Sequence, residues 1–543
     1  MKNEKWKMQV AFSNEKWKMG NVFHSFRGFL RHVGCRLSRG VLSALLVLHA
    51  SFLAWPVWGK IAPTKNPIAV VQATSACAVA DRGYAASRAK WTQRSLAEGG
   101  VTADLVGDGA LARQLAGRKL IYLVTCQTPS ATQLAALNAF RTRGGKIAVL
   151  QSYSPSLAAL MKVACTRTAS PRTWPVSVVP AVGGWWSANF FTSDDEEETK
   201  IRRLLAFVDV GVPGRRAVAT WEAKQKARRA AERAKALAQK PRAGEIHAVW
   251  DHSGEGLYPG DWPRTIRLLK ANGVTDLFVN VAGAGFAHYA SRVLPVSSVC
   301  QTRGDQLAAC LAAARGTGIR VHAWILCFNT TRATSARLAL LARKGWRLKD
   351  TSGRLTPYLD PSHADVRWHL LTVLDELAAK EGLAGVHLDF VRWYEKAAKP
   401  PQAARFVEQF LAAARTRLRK KQPRLWLTAA VLPRYPSCVT VVGQDWEAWL
   451  VKGLVDYIVP MNYVEDTNAL SALLARQART PRQARHVISG IGVTANESRL
   501  TPSQVIDQVN AARRAGVAGV ALFDLDQTLA QRILPLLRLG LFR

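Results

Sequence analysis

The residue pattern best placed to do chemistry in this chain is an acid that closes a short apolar run. Gly385-Val386-His387-Leu388-Asp389 continues into Phe390-Val391-Arg392-Trp393. The stretch from Leu383 to Leu388 reads as a strand buried on both faces, the habit of parallel sheets. A carboxylate at its end is therefore not core filling. His387 and Asp389 lie two apart and share one face of a strand, so the imidazole would orient the acid or bond a sugar hydroxyl. Aromatic faces, amides and carboxylates together suit carbohydrate. Cleaving a glycosidic bond takes two carboxyl groups, one to protonate the leaving oxygen and one to attack or to activate water. Asp389 is the expected first member. Glu465 is the first choice for the second, followed by Asp466, Glu255 and Asp251, and Asp524 at the end of the eighth strand is a further strand-end acid whose alternative is a salt bridge within the barrel mouth.

Positioning these groups calls for a scaffold, and from Gly244 onward the sequence repeats one pattern. Strands are expected at 246–250, 276–281, 319–326, 384–389, 425–431, 455–461, 486–491 and 517–523, with a helical segment after each. Eight such units in about 300 residues fit a (β/α)8 barrel, whose active face is the C-terminal end of its strands. Reading those ends gives Trp250, Asn280, His322, Trp324, His387, Arg392, Trp393, Asn462 and Tyr463 as expected substrate-binding residues. Glycine follows the helices at Gly273, Gly318, Gly453 and Gly516, where a left-handed residue is wanted. Ahead of the barrel, residues 66–215 alternate strand and helix and imply a smaller parallel-sheet α/β domain. Residues 216–243 form a basic helical linker, so the fold class is α/β in both parts and the barrel spans 244–543.

The motifs of the barrel resemble those of the glycosyl hydrolase-like family 10 proteins of the bacterial envelope. Those carrying the likeness are Ala248-Val249-Trp250, Val321-His322-Ala323-Trp324, Leu359-Asp360-Pro361-Ser362-His363, Gly385 to Asp389 with Arg392, Gly443-Gln444-Asp445-Trp446, and Val455 to Tyr463. The resemblance implies a TIM-barrel glycosidase, with peptidoglycan glycan strands stripped of peptide as the substrate where members are characterised. Many members carry a second acid after the strand-four aspartate. Here Phe390 stands there, so the proton donor must come from elsewhere. Residues 66–215 are similar to glutamine-amidotransferase-like domains, but the tight turn Gln151-Ser152-Tyr153-Ser154 lacks their cysteine. The first domain is thus expected to be an accessory module.

The leader and the charge bear on location and partners. Basic residues up to Arg39 precede an apolar run from Val41 to Trp58, which matches a secretory signal within residues 1–62. Export to the periplasm or cell envelope is expected, with membrane association only through that segment if it stays uncleaved. The net charge is +37, of which residues 244–543 hold 38 Lys+Arg against 24 Asp+Glu. Such a field favours polyanions, and an acidic polysaccharide would suit it. No phosphate-cradling glycine loop and no aromatic–basic interleaving occurs, so nucleic acid is not an expected partner. Eight cysteines show no ligand spacing, hence neither a metal nor another cofactor is expected, and a Cys300–Cys310 bridge is the one pairing to consider. Two rival functions stand beside hydrolysis: a barrel that binds glycan without turnover, and a polyanion-binding envelope protein acting through the 221–240 helix.

Overall fold

The computed structural model describes residues 66–163, 179–188, 190–191 and 197–543. The leader, Cys35 and most of the acidic run from Asp194 lie outside them. Two compact units divide the chain, one ending at Trp221 and the other beginning at Glu222.

In the first unit, strands 68–72, 104–107, 120–124, 146–150 and 184–187 run parallel, and 179–181 closes the edge antiparallel to 184–187. Strands 120–124 and 146–150 are almost wholly buried, as Leu-Ile-Tyr-Leu-Val and Lys-Ile-Ala-Val-Leu require when helices cover both faces. Gln151 occupies the turn after the second of them with φ 63°, and its side-chain oxygen accepts from the Phe191 N–H at 3.0 Å. Burial pushes the thiol of Cys126, after the neighbouring strand, up to about 12. It is a protonated, weakly nucleophilic group at neutral pH.

The second unit is a closed ring of eight parallel strands: β1 (Ile246–Asp251), β2 (Asp276–Gly283), β3 (Arg320–Leu326), β4 (Gly385–Asp389), β5 (Trp426–Val431), β6 (Tyr457–Asn462), β7 (Ile488–Gly492) and β8 (Gly519–Phe523). Each pairs with the next, and β8 pairs with β1 to close the ring. The expected strands of the barrel fall within two residues of those observed. Local sequence explains the helix starts. Asp261 caps helix 262–271 with Pro263 in the first turn, and Thr501 with Gln504 forms a reciprocal cap for 502–514. The long loop after β3 is not irregular throughout: it holds a helix at 335–343 and a two-stranded hairpin, 347–349 with 355–359.

Helix 217–237 is less free than a solvated linker. Ala236 is buried in the barrel core, and Lys235 Nζ reaches Asp507 and Ser503 Oγ, each at 2.7 Å. Cys300 and Cys310 are separate, buried thiols rather than a bridge.

Inward-facing side chains fill the ring in layers. Ile246, Ala248, Trp250, Phe278, Trp324 and Val459 belong to this inner cluster, apart from the larger core between barrel and helices. Gly385 opens β4 because a side chain would not fit. An added Cβ would overlap His322 Nδ1 and stand 2.9 Å from the Trp426 carbonyl oxygen. Gly385→Ala is expected to destabilise the barrel by about 1–3 kcal/mol, the usual penalty of overpacking. A denaturant melt followed by tryptophan fluorescence checks it, and an unchanged midpoint contradicts this account of the packing.

Candidate active site at the mouth of the barrel

A cavity of about 240 Å³ opens at the C-terminal end of the strands, lined by Trp250, Trp324, Asp389, Phe390, Tyr463 and Phe523 among others. The alternation of β4 places Asp389 there. Its side chain is nearly covered, which raises its pKa above the ordinary carboxylate value. Three groups oppose that rise: Arg392, 3.5 Å from Oδ1, the Phe390 N–H, 2.6 Å from the same oxygen, and His252. The Trp324 indole N–H also favours the charged form, although it does not complete a hydrogen bond of good geometry. Phe390 itself has φ 49°, an unusual conformation for a bulky residue. The turn brings its ring to the cavity, with the Arg392 guanidinium 4.1 Å above it.

His387, one layer deeper, is a supporting group. Its Nε2 accepts from Trp250 Nε1–H at 3.0 Å, so that nitrogen carries no proton, and Nδ1–H donates to Thr428 Oγ1 at 2.8 Å. Burial, then the neighbouring His322, keeps the ring neutral by moving its pKa well below the usual histidine value. It fixes the Trp250 indole and bonds no sugar.

A second acid, Asp524, directly follows Phe523 of the cavity lining and sits beside His252, without lining the cavity itself. Burial, then Asp526 and Asp251, pushes Asp524 up to about 6. His252 Nδ1 lies 4.0 Å from Asp524 Oδ2 and also feels Asp389. Tyr463, stacked on Phe523 with ring centroids 5.3 Å apart, senses both carboxyl groups, and burial raises its phenol first of all. Tyr463 and His252 thus stand within the field of the two acids. A carboxyl group titrating near 6 in a cleft is poised for general acid catalysis.

The other residues singled out from sequence lie elsewhere, for identifiable reasons. Glu465 is exposed beyond β6, where Oε1 accepts the Arg499 N–H at 3.2 Å, and it does not line the cavity. Asp466 caps helix 467–477, Glu255 pairs with Arg303, and Asp251 is fully buried, accepting from Ser253 Oγ and the Gly256 N–H. His322 shares a face with Trp324 but sits two residues nearer the closed end, bonded to Asp276 at 2.8 Å. Asn462 follows Met461, a cavity residue, and so points outward to Gln477 and Ser489. Trp393 is buried away from the mouth, donating to the Ala403 carbonyl at 3.0 Å. Asn280 lies under the rim and donates to the His252 carbonyl at 3.3 Å. His252 and Arg332 are not among the residues expected from sequence, and Asp524 is there only as a strand-end acid with a salt bridge as its alternative. Position immediately after β8 was the available signal for Asp524.

Residues 261–484 match the sequence model of a family described as "Putative glycosyl hydrolase domain". That segment runs from the first barrel helix to just before β7, so it contains Asp389 and stops short of Asp524. No curated protein matches the chain. Among solved structures, a class V chitinase from Pseudomonas fluorescens shares 11% identity at a TM-score of 0.38, over 55% of this chain and 99% of that one. An endo-1,4-β-mannanase from Rhizomucor miehei shares 8% at 0.41, over 54% and 93%. The spore cortex-lytic enzyme SleL of Bacillus cereus shares 11% at 0.37, over 56% and 74%.

The raised pKa of Asp524 has a consequence for stability. The folded protein holds this proton more tightly than the unfolded chain, so the contribution of Asp524 is favourable at low pH and is lost as pH rises from about 4 to about 6. Asp524→Asn is therefore expected to raise the melting temperature at pH 7 relative to the unaltered protein, with a smaller gain at pH 4. Scanning calorimetry at the two pH values checks this, and a gain larger at pH 4 contradicts it.

Proposed function

We propose that the barrel is a glycoside hydrolase in which Asp389 acts as nucleophile or base and Asp524, in place of Glu465, as proton donor. The observation that carries the reading is the pair of acids at the ends of β4 and β8, both shifted upward, with His252 4.0 Å from Asp524 and both acids felt by Tyr463. Arg392 and the Phe390 N–H favour the ionised form of Asp389, as a nucleophile or base requires, whereas Asp524 has His252 only at 4.0 Å and, pushed up to about 6, holds a proton in mild acid. The glycosyl hydrolase match over 261–484 supports the same reaction class. Phe390, Tyr463 and Phe523, half-buried at the cavity, offer aromatic surface to a pyranose ring, above the buried Trp250 and Trp324.

The substrate proposed is a polysaccharide of the cell envelope or its surroundings, with peptide-free peptidoglycan strands the leading case on the motif resemblance to family 10-like proteins. The basic-then-apolar leader supports export. Among the described residues no helix is long and apolar enough to cross a membrane. Residues 66–215 are read as an amidotransferase-like accessory module. Gln151 in place of cysteine and the protonated Cys126 thiol favour a non-catalytic role.

Activity should fall as pH rises through about 6, because Asp524 must be protonated to donate. Asp389→Asn and Asp524→Asn are each expected to lower kcat by roughly 10²–10⁴-fold, the range of acid–base contributions, and Asp524→Asn to abolish the basic limb of the profile. Glu465→Gln should leave the rate little changed. Rates on a panel of purified glycans across pH 4–8 test these outcomes. Full activity in Asp389→Asn, or a persisting basic limb in Asp524→Asn, sinks the assignment. Glycan binding without turnover by the unaltered protein makes it a binding barrel instead.

A further inference from the structure

Arg332 is a cation of the barrel mouth for which the fold supplies no counter-charge. It stands on the loop after β3, lines the cavity with Asp389, and holds its guanidinium 4.7 Å over the Phe286 ring. Less exposed arginines of the barrel are paired, with Arg415 held by Asp456, Arg513 by Glu245 and Arg392, at the same mouth, by Asp389, whereas Arg332 is exposed. Among the described residues, Arg332 has neither an ion pair nor a side-chain hydrogen bond. Its charge is nevertheless felt across the rim, where it helps to hold His252 and His288 neutral, after burial. A guanidinium stacked on an aromatic face keeps its plane while its N–H donors remain available.

The chemistry of the mouth says what those donors meet. A neutral sugar needs no cation there. A sugar bearing a carboxylate would be repelled by Asp389 unless a positive charge offset it, and Arg392 is already occupied by that acid. We propose that Arg332 receives the carboxylate of an acidic sugar unit, in the paired hydrogen-bond geometry that guanidinium and carboxylate share, and so sets a preference for anionic glycan. This rests on the cavity being a glycan cleft, and it adds the substrate's charge and the residue that reads it. Two sources offer the same group: the ring carboxylate of a uronate and the lactyl carboxylate of peptide-free peptidoglycan.

Binding separates this inference from hydrolysis. In the Asp389→Asn background, titration calorimetry compares oligogalacturonate and peptide-free peptidoglycan strands, each against its carboxyl-reduced counterpart. At least one acidic glycan should bind more tightly than its reduced form, and that ratio should fall about tenfold or more in Arg332→Gln, the loss of a charge-assisted contact. Arg332→Lys should keep part of the ratio, and added salt should lower it. The preferred arm identifies the source of the carboxylate. Melting temperatures of the variants show whether the fold is intact. A ratio unchanged in a folded Arg332→Gln protein, or no preference for either acidic glycan, overturns the proposal. An Arg332-dependent preference in a protein that never cleaves glycan overturns the hydrolase reading and leaves this one standing.

Discussion

Ring closure through the β8–β1 pairing is the constraint on which the mouth of the barrel depends. Asp389 and Asp524 are 135 positions apart in the chain, and nothing local relates them. Gly519 allows the closing strands to approach, since a Cβ there would run into the Ile246 backbone. Once Gly519 faces Ile246 and Leu522 faces Val249, the residues following β8 and β1 emerge together. His252 and Asp524 then lie side by side, and the continuous ring sets them at the same mouth as the end of β4. A slip of one residue in β4 would turn Asp389 away from the ring interior.

Beneath the mouth, the inner layers are mostly packing, and some of the polar atoms within them are paired while His322 Nδ1 and Trp324 Nε1 are not. Trp250 and His387 satisfy one another, and Thr428 satisfies the remaining ring nitrogen. Asp276 serves Arg320 and His322 together at the opposite end. Such pairing makes His387 a supporting group, with one ring nitrogen holding the Trp250 indole and the other Thr428, which stiffens the floor of the cavity.

Much of this was legible in the chain. Apolar runs of strand length, separated by capped amphipathic helices and glycine stops, specify the barrel almost residue by residue, because period and punctuation are local properties. Asp389 was legible for the same reason: an acid ending an apolar run has one sensible location. The second acid was not. Glu465 lies three residues past β6 and Asp524 directly follows β8, so both were on offer and the loop conformations decided between them. The backbone after β6 carries Glu465 out to Arg499, whereas Asp524 immediately follows β8. Arg332 was hidden similarly, since a basic residue in a long loop of a basic chain carries no local mark. Asn462 and Trp393 show the complementary failure, where the right segment was chosen and the facing was not resolved.

The neutral His387 and the proton-holding Asp524 place opposite demands on acidity. An imidazolium in the floor would have no lone pair for the Trp250 indole and would sit uncompensated among aromatic rings, so the unfolded chain takes up that proton first as the medium is acidified. The rim carboxyl pulls the other way, favouring the compact state in acid and opposing it toward neutrality. The barrel therefore carries its own upper and lower bounds, one written in the rim and one in the floor. A mildly acidic interval between them is where an intact scaffold and a protonated donor coincide.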